Sequence, residues 1–160
     1  MKHVLSVLVE NRPGVLSRVT GLISRCGFNI ESLSVGPTED PTLSRVTAIV
    51  LADDVAYEQI TKQLHKLISV HKITDHTDEG AIERELVLFK VNAASERRSE
   101  IIEIANVFRA KVVDVGKNTL TVEATGNESK LDAMENLFRG YGIRQLTRTG
   151  KIAIGRGHDA

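Results

Sequence analysis

The chain has one cysteine, three prolines, no tryptophan and an aromatic content of only 4%. A single thiol, Cys26, excludes an internal disulfide and suits a reducing compartment. Lys and Arg together number 21, as do Asp and Glu. No global field therefore draws the chain to nucleic acid or to an anionic membrane surface. No apolar run approaches the roughly 18 residues of a membrane span. The opening MKHVLSVLVEN has a short apolar run and no small-residue cleavage site, so no secretory signal is expected and the expected location is cytoplasmic. The chain also lacks G-x-x-x-x-G-K-[ST], G-x-G-x-x-G and G-x-S-x-G, the phosphate-cradling and nucleophile-elbow patterns.

What is present is a patterned globular sequence of 160 residues, 41% hydrophobic and 26% charged. His3 to Val9 reads as a buried strand. Pro13, a residue favoured in a helical first turn, precedes an apolar face of Leu16, Val19, Leu22, Ile23 and Cys26, and Gly27 stands where a helix-ending glycine belongs. Phe28 to Val35 alternates as a strand, Gly36 to Pro41 is a dense turn signal, and Leu43 to Leu51 is β-branched. Asp53-Asp54 caps a helix faced by Tyr57, Ile60, Leu64 and Leu67, and Val70 to Thr74 closes the unit as a strand.

The order β-α-β-β-α-β then recurs. Leu86 to Val91 is a strand, and a helix starting at Ser95-Glu96 carries Ile101, Ile104, Ala105 and Phe108. Lys111 to Val115 and Leu120 to Ala124 flank a Gly116-Lys117-Asn118 turn. Asn127 caps a helix with Leu131, Met134, Leu137 and Phe138, stopped by Gly140 and Gly142. Ile143 to Ile154 is an irregular final strand region. The expected fold class is α+β: two tandem ferredoxin-like βαββαβ units, 1–77 and 85–160, joined by a polar linker at 78–84.

The chemistry concentrates in Asn11-Arg12-Pro13-Gly14, at the mouth of the first helix. A helix start offers orphan N–H groups and a positive dipole end, both suited to a carboxylate. Gly14 permits close approach to the backbone. Asn11 and Asn29 each supply donors and acceptors, and a free amino acid matches such a set. Ordinary turn chemistry, with Asn11 as a simple helix cap, fits the same residues.

Other constellations are weaker. His3, His65, His71, His76 and His158 have no carboxylate or cysteine at zinc-ligand spacing and read as solvated or capping residues. Cys26 has no paired base and reads as core. Glu39-Asp40, Asp53-Asp54 and Asp78-Glu79 fall at turns or helix starts, where acids cap and solvate. No catalytic or metal-ligating residue is therefore assigned. An RNA-recognition role needs aromatic platforms on the central strands, and neither VLSVLV nor LSRVTAIVL has one.

Five stretches carry a family resemblance. E-N-R-P-G-V-L-S-R-V from Glu10 resembles the first loop of the ACT domain, a βαββαβ module that binds small molecules. G-F-N-I-E-S-L-S-V from Gly27, D-P-T-L-S-R-V-T from Asp40, K-Q-L-H-K-L from Lys62 and K-L-D-A from Lys130 narrow it. Together they resemble the regulatory (small) subunits of acetohydroxyacid synthase, also called acetolactate synthase. The resemblance covers nearly the whole chain, loosest in the linker and after Gly150.

It implies an N-terminal ACT domain over 1–77 that pairs with a second copy into a homodimer. It implies a non-catalytic subunit that binds and activates a large catalytic subunit, and confers feedback by valine, with leucine and isoleucine as the other branched-chain candidates. Thiamine diphosphate, Mg²⁺ and FAD would belong to the catalytic subunit, with no cofactor in this chain. The effector would sit at the dimer seam, held by Asn11, Arg12, Pro13, Gly14, Val15 and Leu16 of one subunit and by Asn29 and Ile30 of the other. Neither nucleic acid nor membrane is expected as a partner. Two other readings stay open: a free-standing ACT sensor of a different amino acid, and a small enzyme using Asp53 and Asp54.

Overall fold

The structure, a computed structural model, describes residues 1–77 and 80–157. The Asp78-Glu79 pair, the start of the expected linker and His158 lie outside the described residues. Two compact units form. One is Met1–Ile82 together with the chain from Lys151 on, and the other is Glu83–Gly150.

In the first unit, β1 (Lys2–Glu10), α1 (Val15–Arg25), β2 (Asn29–Pro37), β3 (Leu43–Leu51), α2 (Asp54–His65) and β4 (Val70–Asp75) follow in order. The antiparallel sheet runs β2-β3-β1-β4. Alternate β1 residues Leu5, Val7 and Val9 are buried with Val46, Ala48 and Val50 of β3 against Val19, Ile23, Ile60 and Leu64 of the helices. A branched or leucine side chain fully buried in this way contributes about 1.5–3 kcal/mol. Glycine's freedom is used at Gly27, whose φ of 80° ends α1 in the left-handed region. Strand β2 runs two residues further than its alternation suggested. Pro37 can pair with Ser44 because β2 is an edge strand, where a missing donor costs no ladder bond on the outer side.

The second unit repeats the plan with β5 (Ile82–Asn92), α3 (Arg98–Val107), β6 (Lys111–Val115), β7 (Thr119–Gly126), α4 (Glu128–Arg139) and β8 (Ile143–Arg148), in sheet order β6-β7-β5-β8. Its core is built on Phe89, whose ring meets Phe138 edge-on at 5.3 Å. As the sequence indicated, Asn127 caps α4, its side chain accepting from the Lys130 N–H at 3.0 Å. Strand β5 begins at Ile82, inside the stretch read as linker. The final strand region divides in two: β8 stays with the second unit, whereas β9 (Ile152–Ile154) lies in the first.

Candidate functional site

Strand β1 ends at Glu10, opposite Leu43 of β3. The chain then turns under the β2–β3 hairpin, where the Asn11 N–H donates to the Thr42 carbonyl at 2.8 Å and Asn11 Nδ2 to the Pro41 carbonyl at 3.1 Å. Asn11 is therefore not the cap of α1. Its amide nitrogen ties two loops together, and among the described residues its Oδ1 accepts no hydrogen bond, leaving an acceptor for another group.

Helix α1 begins uncapped. Gly14 occupies the N-cap position at φ 85°, no side chain caps the helix, and its first turn has no acid. Pro13 therefore stands before the helix rather than within its first turn, because the left-handed residue falls between them. The Val15 N–H reaches the Arg12 carbonyl at 3.3 Å and the Arg18 N–H closes on Gly14 at 3.1 Å. Between them, Leu16 and Ser17 carry the orphan donors of a helix start, at an unneutralised positive dipole end. Apart from Gly14 itself and its chain neighbours, no heavy atom is found within 4 Å of where a Gly14 Cβ would stand. An anion has open access to these donors.

The cleft beside this loop is lined by Glu10, Asn11, Arg12, Pro41, Thr42, Leu43 and His71. Arg12 Nη2 pairs with Glu10, and His71 Nε2 lies 3.6 Å from Glu10 Oε1. Asp40 next to the cleft accepts from the Thr42 hydroxyl at 2.7 Å and the Thr42 N–H at 3.0 Å. Those two donors hold its carboxyl below the usual value. Sequence reading did not assign Thr42, Pro41 or His71 to the site. They stand 30 or more residues from Asn11, and only strand pairing brings them to it.

The remaining expected residues separate by environment. Val15 is buried in the first core, Leu16 is exposed beside the helix start, and Arg12 and Pro13 are exposed. Asn29 and Ile30 lie elsewhere: Asn29 opens β2 opposite Leu51, which in turn pairs with Lys2. The loop cluster follows the Glu10–Leu43 pair. Eight ladder steps, about 27 Å at the usual strand rise, separate the two ends of the sheet. A single copy of the chain does not bring Asn11 and Asn29 together.

At the Asn29 end, Asp53 acts as the cap of α2, its Oδ1 accepting from the Ala56 N–H at 2.7 Å. Asp54 stands 3.7 Å from Nε2 of His3. The reading of all histidines as solvated or capping is corrected here, because His3 and His76 are only 3% and 5% exposed. His3 is buried by stacking on Tyr57, with ring centroids 3.9 Å apart and planes within 8°. Burial, with the nearby Asp75 charge, pushes the Tyr57 hydroxyl far above its ordinary value. Cys26 is half-buried against the first core. Among the described residues, no three His, Cys, Asp or Glu side chains are grouped to hold a metal ion, and no helix is long and apolar enough to cross a membrane.

Comparison with known proteins gives consistent matches across both units. A family model described as an AHAS small subunit-like ACT domain matches residues 5–72, and one described as the small subunit of acetolactate synthase matches residues 84–157. The probable acetolactate synthase small subunit of Archaeoglobus fulgidus is 53% identical over 158 residues, covering 99% of both chains. The acetolactate synthase small subunit of Mycobacterium bovis is 54% identical over 155 residues, covering 97% of this chain and 92% of that one. The crystal structure of the acetolactate synthase small subunit from Thermotoga maritima matches at a TM-score of 0.88 with 40% identity, covering 98% of each chain.

Proposed function

This chain belongs to the family of acetolactate synthase small subunits, and from that premise we propose that it is a non-catalytic regulatory subunit. It binds the large catalytic subunit, raises its activity and makes it sensitive to feedback by valine. The thiamine diphosphate, Mg²⁺ and FAD chemistry belongs to the large subunit. This chain contributes an effector site and a means of communicating its occupancy.

The carrying observation is the start of α1: an uncapped helix end with no first-turn acid, opened by a left-handed glycine, beside an asparagine with a spare acceptor. An α-amino acid complements it. The carboxylate takes the Leu16 and Ser17 N–H groups, and the ammonium group takes Asn11 Oδ1. Asn29 and Ile30 complete the site from a second copy. Strand β2 is an outer strand of its sheet, and its Pro37 end lies at the same end of the sheet as Asn11. Antiparallel pairing of two β2 edges about a two-fold axis brings the Asn29 end of one copy to the Asn11 end of the other. Exposed Leu16 and half-buried Ile30 supply the apolar contacts for a branched side chain. Effector binding at such a seam alters the partner enzyme only as far as its affinity differs between two packings of the dimer.

The test is calorimetric titration of the full chain with L-valine, repeated on Asn11→Ala, alongside synthase assays with the catalytic subunit. Saturable binding lost in the variant, with valine-sensitive activation by the wild type, is expected. Binding without any activation of a synthase would instead favour a free-standing amino-acid sensor.

A further inference from the structure

The two units share more than an order of strands. In the first, the Glu10 N–H donates to the Ser69 carbonyl at 2.9 Å and the Asn11 N–H to the Thr42 carbonyl at 2.8 Å. In the second, the Asn92 N–H donates to the Gly142 carbonyl and the Ala93 N–H to the Asn118 carbonyl, both at 2.8 Å. The last strand of each unit slips register at the same step, which leaves His71 of β4 and Arg144 of β8 as the bulged residues. The backbone frame of the first unit's cleft therefore exists a second time, at the end of β5.

Its side chains differ in charge. Glu10, which takes Arg12 and His71 in the first unit, is matched in the second by the neutral Asn92. Arg144 Nε donates to Asn92 Oδ1 at 2.7 Å, so the guanidinium is oriented without being neutralised, and its Nη groups remain for another acceptor. Pro41 and Asp40, beside the first cleft, are matched by Lys117 and Gly116 in the β6–β7 turn. Arg98 Nη2 donates to the carbonyls of both turn residues and so brings a further cation there. Among the described residues none of Arg98, Lys117 and Arg144 forms an ion pair; Glu100 is taken by Arg97 at 3.8 Å, and exposed Glu96 is the other acid before α3. Strands β7 and β8 flank β5, so the turn and the bulge stand about two strand spacings apart, roughly 10 Å, a gap that long cationic side chains span. Asn11 is matched by Ala93, fully buried, so the acceptor offered to an ammonium group in the first unit is missing here.

We propose that this end of the second unit binds an oxyanion, a carboxylate or phosphate group with no ammonium beside it, between Arg144 and Lys117. A planar guanidinium presents paired donors to two oxygens, and a lysine adds a compact charge. The comparison takes its frame from the amino-acid site proposed for the first unit, but the cations stand whether or not valine binds there. A bound oxyanion bridges the β6–β7 turn and β8, and so stabilises the folded unit.

The test titrates the full chain with inorganic phosphate at constant ionic strength and follows backbone amides by NMR. The amides of Asn92, Asn118 and Arg144 are expected to shift together and saturate, and the melting temperature to rise. Arg144→Gln and Lys117→Gln should each weaken phosphate binding about tenfold, the scale of one charge-assisted hydrogen bond. Lys117→Gln removes no hydrogen bond of the fold, so it tests the site even if Arg144→Gln disturbs the Asn92 corner. Lys111→Gln, at the other end of β6, removes the same charge and should leave the affinity unaltered. Adding the catalytic subunit identifies the source of the oxyanion. Phosphate still held by the assembled synthase indicates a free anion. Mutual exclusion of phosphate and catalytic subunit, with weaker assembly of Lys117→Gln, indicates a carboxylate of that partner. Shifts that never saturate, or an equal loss in Lys111→Gln, overturn the site and leave the valine reading untouched. Absence of valine binding removes that reading and leaves the phosphate titration to decide this one.

Discussion

Asn11 and Asn29 stand at opposite ends of one antiparallel sheet, the first beyond the Glu10–Leu43 pair and the second opposite Leu51. Both are exposed, and only Asn11 is tied to a neighbouring loop, through Pro41 and Thr42. A site that uses both must take one from each of two copies. That geometric requirement gives the proposed regulation its sharpest test.

Mixing two inactive variants should restore binding. Asn11→Ala and Asn29→Ala homodimers each lose one half of every site. A mixed dimer has one site with both asparagines and one with neither. After subunit exchange, about half the dimers are mixed, so about a quarter of the wild-type number of valine sites should reappear in a calorimetric titration. A site contained within one chain predicts no recovery at all.

Charge at Gly14 should block the effector, and size alone should not. Asn and Asp tolerate the left-handed region better than other non-glycine residues, and space around the missing Cβ is open. Gly14→Asp and Gly14→Asn should therefore melt within about 1 kcal/mol of each other. Asp places a carboxylate where the ligand's carboxylate approaches, and should weaken valine binding at least about tenfold more than Asn does. Equal losses in the two variants would assign the effect to backbone strain.

The second unit should lose stability in acid partly through Glu135. Its carboxylate accepts from Arg139 and, at 2.6 Å, from Arg148 Nη2, while Arg148 Nη1 bonds Glu85 Oε1 at 3.0 Å. The hydrogen bond from Arg139 is the main cause of its lowered pKa, with Arg148 assisting. A carboxyl more acidic when folded than when unfolded contributes stability above the unfolded value, about 4.3, and loses it as pH falls through the lower folded value. Glu135→Gln should cost about 1 kcal/mol at pH 7, and the gap in melting temperature from wild type should close as pH falls through the lowered folded value. A gap that persists unchanged in acid would mean the loss is one of packing.

Most of the fold was legible because its signals are local. Gly27, Asp53 and Asn127 mark helix ends through their own backbone or cap bonds, and buried positions recur at helical or strand spacing. What was not legible depends on long-range pairing. Nothing near Ile152 indicates that β9 packs with Val4 and Ile49, nearly 150 and just over 100 residues away. His3 looked solvent-bound in sequence, because its burial depends on Tyr57 from a distant helix. The loop from Asn11 to Leu16 was visible through its glycine and asparagine. Its neighbours Pro41, Thr42 and His71 join it only when β3 and β4 flank β1.

Arg109 ends α3 at φ 56° and is the one non-glycine residue at positive φ among the described residues. The Arg109 N–H bonds the Asn106 carbonyl at 3.0 Å and the Ala110 N–H bonds the Ala105 carbonyl at 2.8 Å, a left-handed helix ending in which glycine is usual. A side chain there costs about 1 kcal/mol in backbone strain, partly offset by the wider freedom glycine gives the unfolded chain. Arg109→Gly should therefore raise stability by about 0.5 kcal/mol, a gain of one or two degrees in melting temperature for a chain of this size. Arg109→Ala keeps the Cβ and the strain, and should give no such gain. If Ala stabilises as much as Gly, charge at the helix end rather than backbone conformation is what the arginine imposes.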